Sequence, residues 1–156
     1  MTDEDARALI RQPKRLAPGS TVRWRLVLGH PHNQCRVRFE VVGTGGQRFI
    51  VQGQHYVRER ERFGYVISLP GGQKLVKMEN RPEHPDPVRG RTNEPHLHLY
   101  HEDFAQVAEE LPYTEATDLF TLDTPAREAF LAFLEYCGIE GEEDFWYHES
   151  WTGSLF

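Results

Sequence analysis

The sequence predicts an α+β domain: an antiparallel meander of about six strands, with an N-terminal helix and two C-terminal helices on one face. Three observations lead there. Apolar and polar residues alternate with period two in segments between Val22 and Met78. The breaks between those segments are glycine- and proline-bearing turns too short for a crossover helix, so neighbouring strands run antiparallel. After Glu102 the apolar period becomes helical.

Thr2 followed by Asp3, Glu4 and Asp5 is a helix start, an N-cap hydroxyl with carboxylates near the positive end of the dipole. Ala6, Leu9 and Ile10 form its narrow apolar stripe, and Pro13 stops it. Pro18-Gly19-Ser20 turns the chain into a strand in which Val22, Trp24, Leu26 and Leu28 alternate with Arg23 and Arg25. The pattern returns as Val37, Phe39 and Val41 against Arg36, Arg38 and Glu40. Thr44-Gly45-Gly46 then turns into Phe49-Ile50-Val51, so residues 35–57 read as a hairpin. Tyr65, Ile67 and Leu69, a Pro70-Gly71-Gly72 turn, and Leu75 to Met78 make a second hairpin. His96 to Tyr100 is the sixth strand. Phe104, Val107, Ala108 and Leu111 outline a short amphipathic helix. Thr124-Pro125 opens a longer one, with Ala126, Phe130, Phe133, Leu134 and Cys137 on its apolar stripe and Gly138 at its end. In the final stretch, Phe145, Trp146 and Trp151 cover a sheet edge or dock a partner.

The 156 residues, 38% hydrophobic and 12% aromatic, fit one domain spanning 1–156. No apolar run is long enough to span a bilayer, and MTDEDARALI lacks the basic start and apolar centre of a signal peptide. Cys35 and Cys137 lack a CxxC partner and read as buried free thiols, so the expected location is the cytoplasm. The net charge of −6 conceals an asymmetry. Residues 21–91 carry a net +7 and residues 92–156 a net −14. A basic middle attracts a polyanion such as RNA; an acidic end repels it, mimics it or binds a basic partner. Alternatively, the two faces simply pair with each other or with water.

Titratable groups concentrate between Arg81 and Glu102. Four of the ten prolines stiffen this stretch, which rules out a continuous helix there. A loop carrying His84, Arg89 and Arg91 leads into His96–His101, where Leu97 and Leu99 face a core while His96, His98 and Tyr100 share the other face, about 7 Å apart. Two chemistries suit this pattern. Gly90, His96, His98 and Glu102 match the opening of the cupin metal motif, G-x5-H-x-H-x3-E. Glu109 stands where that motif needs glycine, and the second histidine-bearing strand is missing. The other is metal-independent acid–base catalysis on RNA. One neutral histidine takes a 2′-hydroxyl proton, a protonated one donates to the leaving oxygen, and arginine stabilises the phosphorane. His84, His96, His98 and Tyr100 are the catalytic candidates; Arg81, Arg89, Arg91, Tyr56 and Arg58 are the substrate-binding ones. No metal or cofactor is expected. As a structural alternative, these histidines brace the proline-rich loop by hydrogen bonds. Phosphate-loop, nucleophile-elbow and Rossmann glycine patterns are missing.

From Phe39 to Ala108 the chain resembles a small bacterial and phage family of unknown function. The resemblance rests on His55-Tyr56-Val57-Arg58, a basic strand end, a proline- and histidine-bearing loop, and Pro95 to Tyr100, PHLHLY. That family is similar in layout to the TumE-like toxins of toxin–antitoxin systems, with Arg81, His84, His96 and His98 at the corresponding places. The resemblance implies a mobile-element or defence-associated protein that acts on RNA and meets a cognate antitoxin or other protein partner. The leading expectation is therefore an intracellular RNA-acting protein of toxin type, a metal-independent ribonuclease. The alternatives are a non-enzymatic inhibitor with a nucleic-acid-mimicking acidic half, and a cupin-like metal enzyme.

Overall fold

The computed structural model of the chain describes residues 1–29, 33–56, 62–80, 84–86, 90–92, 95–103, 113–141 and 145–146, with residues 84–86, 90–92 and 113 placed by backbone. In order, its elements are α1 (Asp3–Arg11), β1 (Lys14–Leu16), β2 (Arg25–Val27), β3 (Gln34–Gly43), β4 (Arg48–Tyr56), β5 (Phe63–Ser68), β6 (Lys74–Glu79), β7 (His84–Asp86), β8 (Gly90–Thr92), β9 (His96–Leu99), β10 (Tyr113–Ala116) and α2 (Ala126–Tyr136). The α+β class and the antiparallel meander are present. Among the described residues the main sheet has eight strands in the order β1-β3-β4-β5-β6-β9-β10, with β2 also on β3.

The count exceeds the expected six for a physical reason. The additional strands β1, KRL, and β10, YTEA, are too short and too polar to show a period of two. Conversely, only Arg25–Val27 of the stretch from Val22 to Leu28 pairs as a strand. The two predicted hairpins hold. Gly46 at φ 83° and Gly72 at φ 95° take the left-handed turn positions between β3 and β4 and between β5 and β6. The helix expected at 104–111 and Trp151 lie outside the described residues.

One face of the sheet forms the core. Val37, Gly53, Tyr65, Met78 and Leu97 pair in one cross-strand row, and Phe39, Val51, Ile67, Val76 and Leu99 in the next. Helix α2 lies on this face: its Phe130 and Phe133 rings meet Tyr65, whose hydroxyl donates to the Ala126 carbonyl at 2.8 Å. Gly53 is glycine because a Cβ there would sit 2.8 Å from the Tyr65 ring. Trp24 packs on Phe130, His55 and Trp146, and Phe145 on Phe39, so those two C-terminal aromatics complete the core at the β3–β4 end. Cys35 and Cys137 are both buried free thiols, as expected.

Helix α1 carries the predicted N-cap, Asp5 N donating to Thr2 Oγ1 at 3.1 Å, and Thr2 N donates back to Asp5 Oδ2 at 3.2 Å, which closes a capping box. Thr124 behaves differently from its predicted capping role. Its hydroxyl accepts from Thr121 N at 2.8 Å, and α2 starts on the Pro125 carbonyl.

Both helices end on one side chain. Lys14, 2% exposed, donates from Nζ to the carbonyls of Ile10, Gln12 and Cys137, each at 2.7 Å. Burial pushes its ammonium down to about 8, which leaves it charged at neutral pH. Lys14→Met removes these donors and strands three carbonyls at about 1–3 kcal/mol each. Urea unfolding is expected to show a loss of at least about 3 kcal/mol. A loss under about 0.5 kcal/mol, the scale of an ordinary surface change, would contradict the clamp.

Candidate functional site

Strand β9 lies between β6 and β10, with His98 opposite Lys77 on one side and Thr114 on the other. Leu97 and Leu99 face the core, and His96 and His98 share the opposite face, as the alternation requires. Both are buried there, His96 3% and His98 9% exposed. The two imidazole rings are 4.9 Å apart, edge to face. His98 Nε2 lies 3.4 Å from Glu79 Oε1, and Lys77 Nζ lies 3.2 Å from Glu79 Oε2. Burial alone would raise the Glu79 carboxyl; the His98 hydrogen bond and the charges of Lys77 and His98 outweigh it and bring it down to about 2. Glu79 is therefore a fixed carboxylate beside the histidines, a residue the sequence reading did not single out.

Tyr100 departs from the expected set. Its hydroxyl donates to the Met1 carbonyl at 2.7 Å, while His101 Nε2 lies 3.4 Å from Asp3 Oδ2. These two side chains hold the start of α1 in place. The proline-rich stretch is also corrected: rather than a loop, β7 and β8 form a separate two-stranded ladder, with His84 opposite Thr92 and Pro85 opposite Arg91. Backbone register is what the structure gives for His84 and Arg91. Arg58, Arg81 and Arg89 lie outside the described residues. Tyr56 ends β4 opposite Gln34, half-buried and on the same face as Gln52 and Gln54.

That face holds what the sequence reading missed. A groove of about 840 Å³ runs across it, with Arg23, Arg25, Arg36, Arg38 and Lys77 among its lining side chains. Antiparallel register sets these groups in two cross-strand rows. The first is Arg25, Arg36, Gln54, Gly64 and Glu79. The second is Arg38, Gln52, Val66, Lys77, His98 and Thr114. The histidine row and the arginines thus belong to one surface, with His98 one strand in from its far edge.

The electrostatics of the groove are one-sided. Arg23, Arg25, Arg36 and Arg38 are exposed, and no carboxylate lines the groove among the described residues. Arg36 donates from Nε at 2.9 Å and Nη2 at 2.8 Å to Gln34 Oε1, which fixes the plane of its guanidinium. The available signal was the Arg-x-Arg pairs at 23/25 and 36/38 within the +7 segment. Reading them as solvated strand faces hid their convergence, which only the β2–β3 pairing creates. As for metals, no group of three His, Cys, Asp or Glu side chains among the described residues could hold an ion. No described helix is long and apolar enough to cross a membrane.

Residues 1–139 match a protein family described as a family of unknown function (DUF6978). The match is wider than the Phe39–Ala108 stretch of the sequence resemblance. No curated protein and no solved structure matches the chain.

The Glu79 cluster has a pH signature. Its folded value lies below the unfolded one, so the unfolded chain binds more protons in between. The stabilisation is complete above about pH 4.5 and lost as pH falls through about 2. Glu79→Gln is expected to melt below wild type at neutral pH, with the gap narrowing across that window. A gap independent of pH would show that the carboxylate charge contributes nothing there.

Proposed function

The chain belongs to the family DUF6978, and we propose that this member is an RNA-acting protein that binds single-stranded RNA across the open face of its sheet. One observation carries this reading: four exposed arginines, Arg23, Arg25, Arg36 and Arg38, line one groove that has no carboxylate in its lining among the described residues, with Lys77, itself paired to Glu79, on its far side. Clustering like charges destabilises a compact fold by self-repulsion, so a polyanion that neutralises them is the natural complement. The overall charge of −6 makes the local reversal more telling, because average composition does not produce it. A volume of about 840 Å³ suits a short run of nucleotides. A positively charged groove that tracks the phosphate backbone is a general feature of single-strand binding surfaces.

Cleavage by a toxin-type, metal-independent mechanism is the second reading. It is favoured by the position of His98, which shares a cross-strand row with Arg38 and Lys77 and faces the Glu79 carboxylate. In this reading His98 and His96 exchange protons with the 2′-hydroxyl and the leaving oxygen, while the groove arginines hold the phosphates. The likeness in layout to the TumE-like toxins, at Arg81, His84, His96 and His98, suggests the toxin class and, with it, an antitoxin-like partner. Burial of both imidazoles places binding ahead of cleavage.

Fluorescence anisotropy with a labelled oligouridylate tests the binding surface. Wild type is expected to bind, with affinity falling as salt rises. The double variant Arg36→Ala/Arg38→Ala is expected to bind at least about tenfold more weakly, with a salt slope shallower by about 1.4 for two lost phosphate contacts. Its melting point should stay close to wild type, because both side chains are exposed. Arg127→Ala, on the exposed side of α2, is the matched control and should bind like wild type. Equal binding by the double variant and the control would contradict the proposal.

A further inference from the structure

The charge of the groove is gathered at one corner. Arg25 on β2 is the cross-strand partner of Arg36 on β3, and Arg38 stands two residues further along the same face. Arg23, two residues before Arg25, lines the same groove. Trp24 between them is buried, and its indole N–H donates to the Phe145 carbonyl at 2.8 Å, which anchors the segment that carries both arginines. Away from this corner the lining turns neutral, with Gln52 and Gln54 on β4 and Gly64 and Val66 on β5. The cation beyond them, Lys77, lies 3.2 Å from Glu79 Oε2, so its charge is met within the protein.

Like charges opposed across a ladder repel, and no carboxylate lines the groove among the described residues to relieve them. Arg36 is also held in place: its Nε and Nη2 donate to Gln34 Oε1, which leaves the Nη1 donors for a ligand. Size then decides which anion fits. Neighbouring strands lie about 4.8 Å apart and same-face residues about 7 Å apart, so the four arginines root in a patch of about 5 by 7 Å. Even a tightly stacked strand, with one phosphate per about 3.4 Å, sets only about two single charges over that length. A terminal phosphate carries about −1.5 to −2 on one group and offers three acceptor oxygens, to which guanidinium forks donate in pairs. We propose that Arg23, Arg25, Arg36 and Arg38 form a cradle for the phosphorylated end of an RNA strand, whose body then runs past Gln52 and Gln54 toward β5. This inference rests on the RNA-binding reading and names the part of the strand that the arginine corner takes. A track for internal backbone would spread its cations along the groove. These four share one corner, and the amides beyond them bring hydrogen bonds without charge.

Anisotropy at fixed salt, with oligouridylates labelled on a central base, compares strands that end in a 5′-phosphate, in a 3′-phosphate or in hydroxyls at both ends. A hydroxyl-ended strand two nucleotides longer matches the phosphorylated strands in net charge. Wild type is expected to prefer a phosphorylated strand over this charge-matched one by about tenfold, the scale of one added charge-assisted bond. Whichever phosphorylated strand it prefers names the end. Arg25→Gln, an exposed position whose change leaves the fold intact, is expected to bring that ratio close to one while the hydroxyl-ended strand still binds. Gln34→Leu keeps all four charges but releases Arg36, and is expected to lower the ratio as well, which separates a shaped cradle from charge alone. Equal affinity of wild type for phosphorylated and charge-matched strands, with the dependence on Arg36 and Arg38 intact, overturns the cradle and leaves the binding surface standing. Absence of binding to any strand overturns both. A preference for phosphorylated ends that survives in both variants assigns end recognition elsewhere and also overturns the cradle.

Discussion

A single buried ammonium organises this fold. Lys14 Nζ gathers the terminal carbonyls of both helices, Ile10 and Gln12 from α1 and Cys137 from α2, and lies 4.7 Å from the centre of the Phe49 ring. Its backbone does the same work. Lys14 N donates to the Gly138 carbonyl, and Glu140 N donates to the Lys14 carbonyl. Chain ends that approach this closely leave no room for a side chain. A Cβ at Gly138 would stand 2.7 Å from the Gln12 carbonyl oxygen, and its φ of 72° suits glycine. Helix C-termini carry partial negative charge, so one cation satisfies two of them at once. The desolvation of the ammonium, visible in its lowered pKa, is offset by three charge-assisted bonds.

Through β1 this knot reaches β3, whose Val41, Val42 and Gly43 pair with Leu16, Arg15 and Lys14. Strand β3 carries the fold's division of labour. Cys35, Val37, Phe39 and Val41 point into the core, and Arg36 and Arg38 point the other way. Packing α2 on the first face fixes the register of the second, because a shift of one residue would exchange the two sets. The geometry of the arginine rows therefore depends on the apolar face behind them.

Legibility of the sequence followed the strength of local signals. The α1 cap, both hairpins and α2 were readable because capping residues, turn glycines and apolar stripes act within a few residues of themselves. Strands β1 and β10 were not, since their pairing is decided by distant partners, Gly43 for one and Leu99 for the other. The same distinction governs the site. The shared face of His96 and His98 was readable from alternation, but their burial was not, because alternation does not say what covers a face. Glu79 gave no signal in sequence, because its partner His98 is nineteen positions away and reaches it only through the β6–β9 ladder. The arginine groove was half legible: composition located the positive charge, and cross-strand pairing alone turned Arg25, Arg36 and Arg38 into one surface. Tyr100 shows the reverse case, where a residue in register with a candidate site is claimed by the N-terminus.

The central claim is that the open sheet face, with its arginine rows, is where RNA lies. Photo-crosslinking of a uridine-substituted single strand, followed by mapping of the adducts on the full chain, tests it most directly. The account predicts adducts on the β3–β5 residues of that face, centred on Arg36, Arg38, Gln52 and Gln54 and suppressed by competing unlabelled strand. Adducts concentrated on α2 or α1, with the β3–β5 residues unmodified, would contradict it.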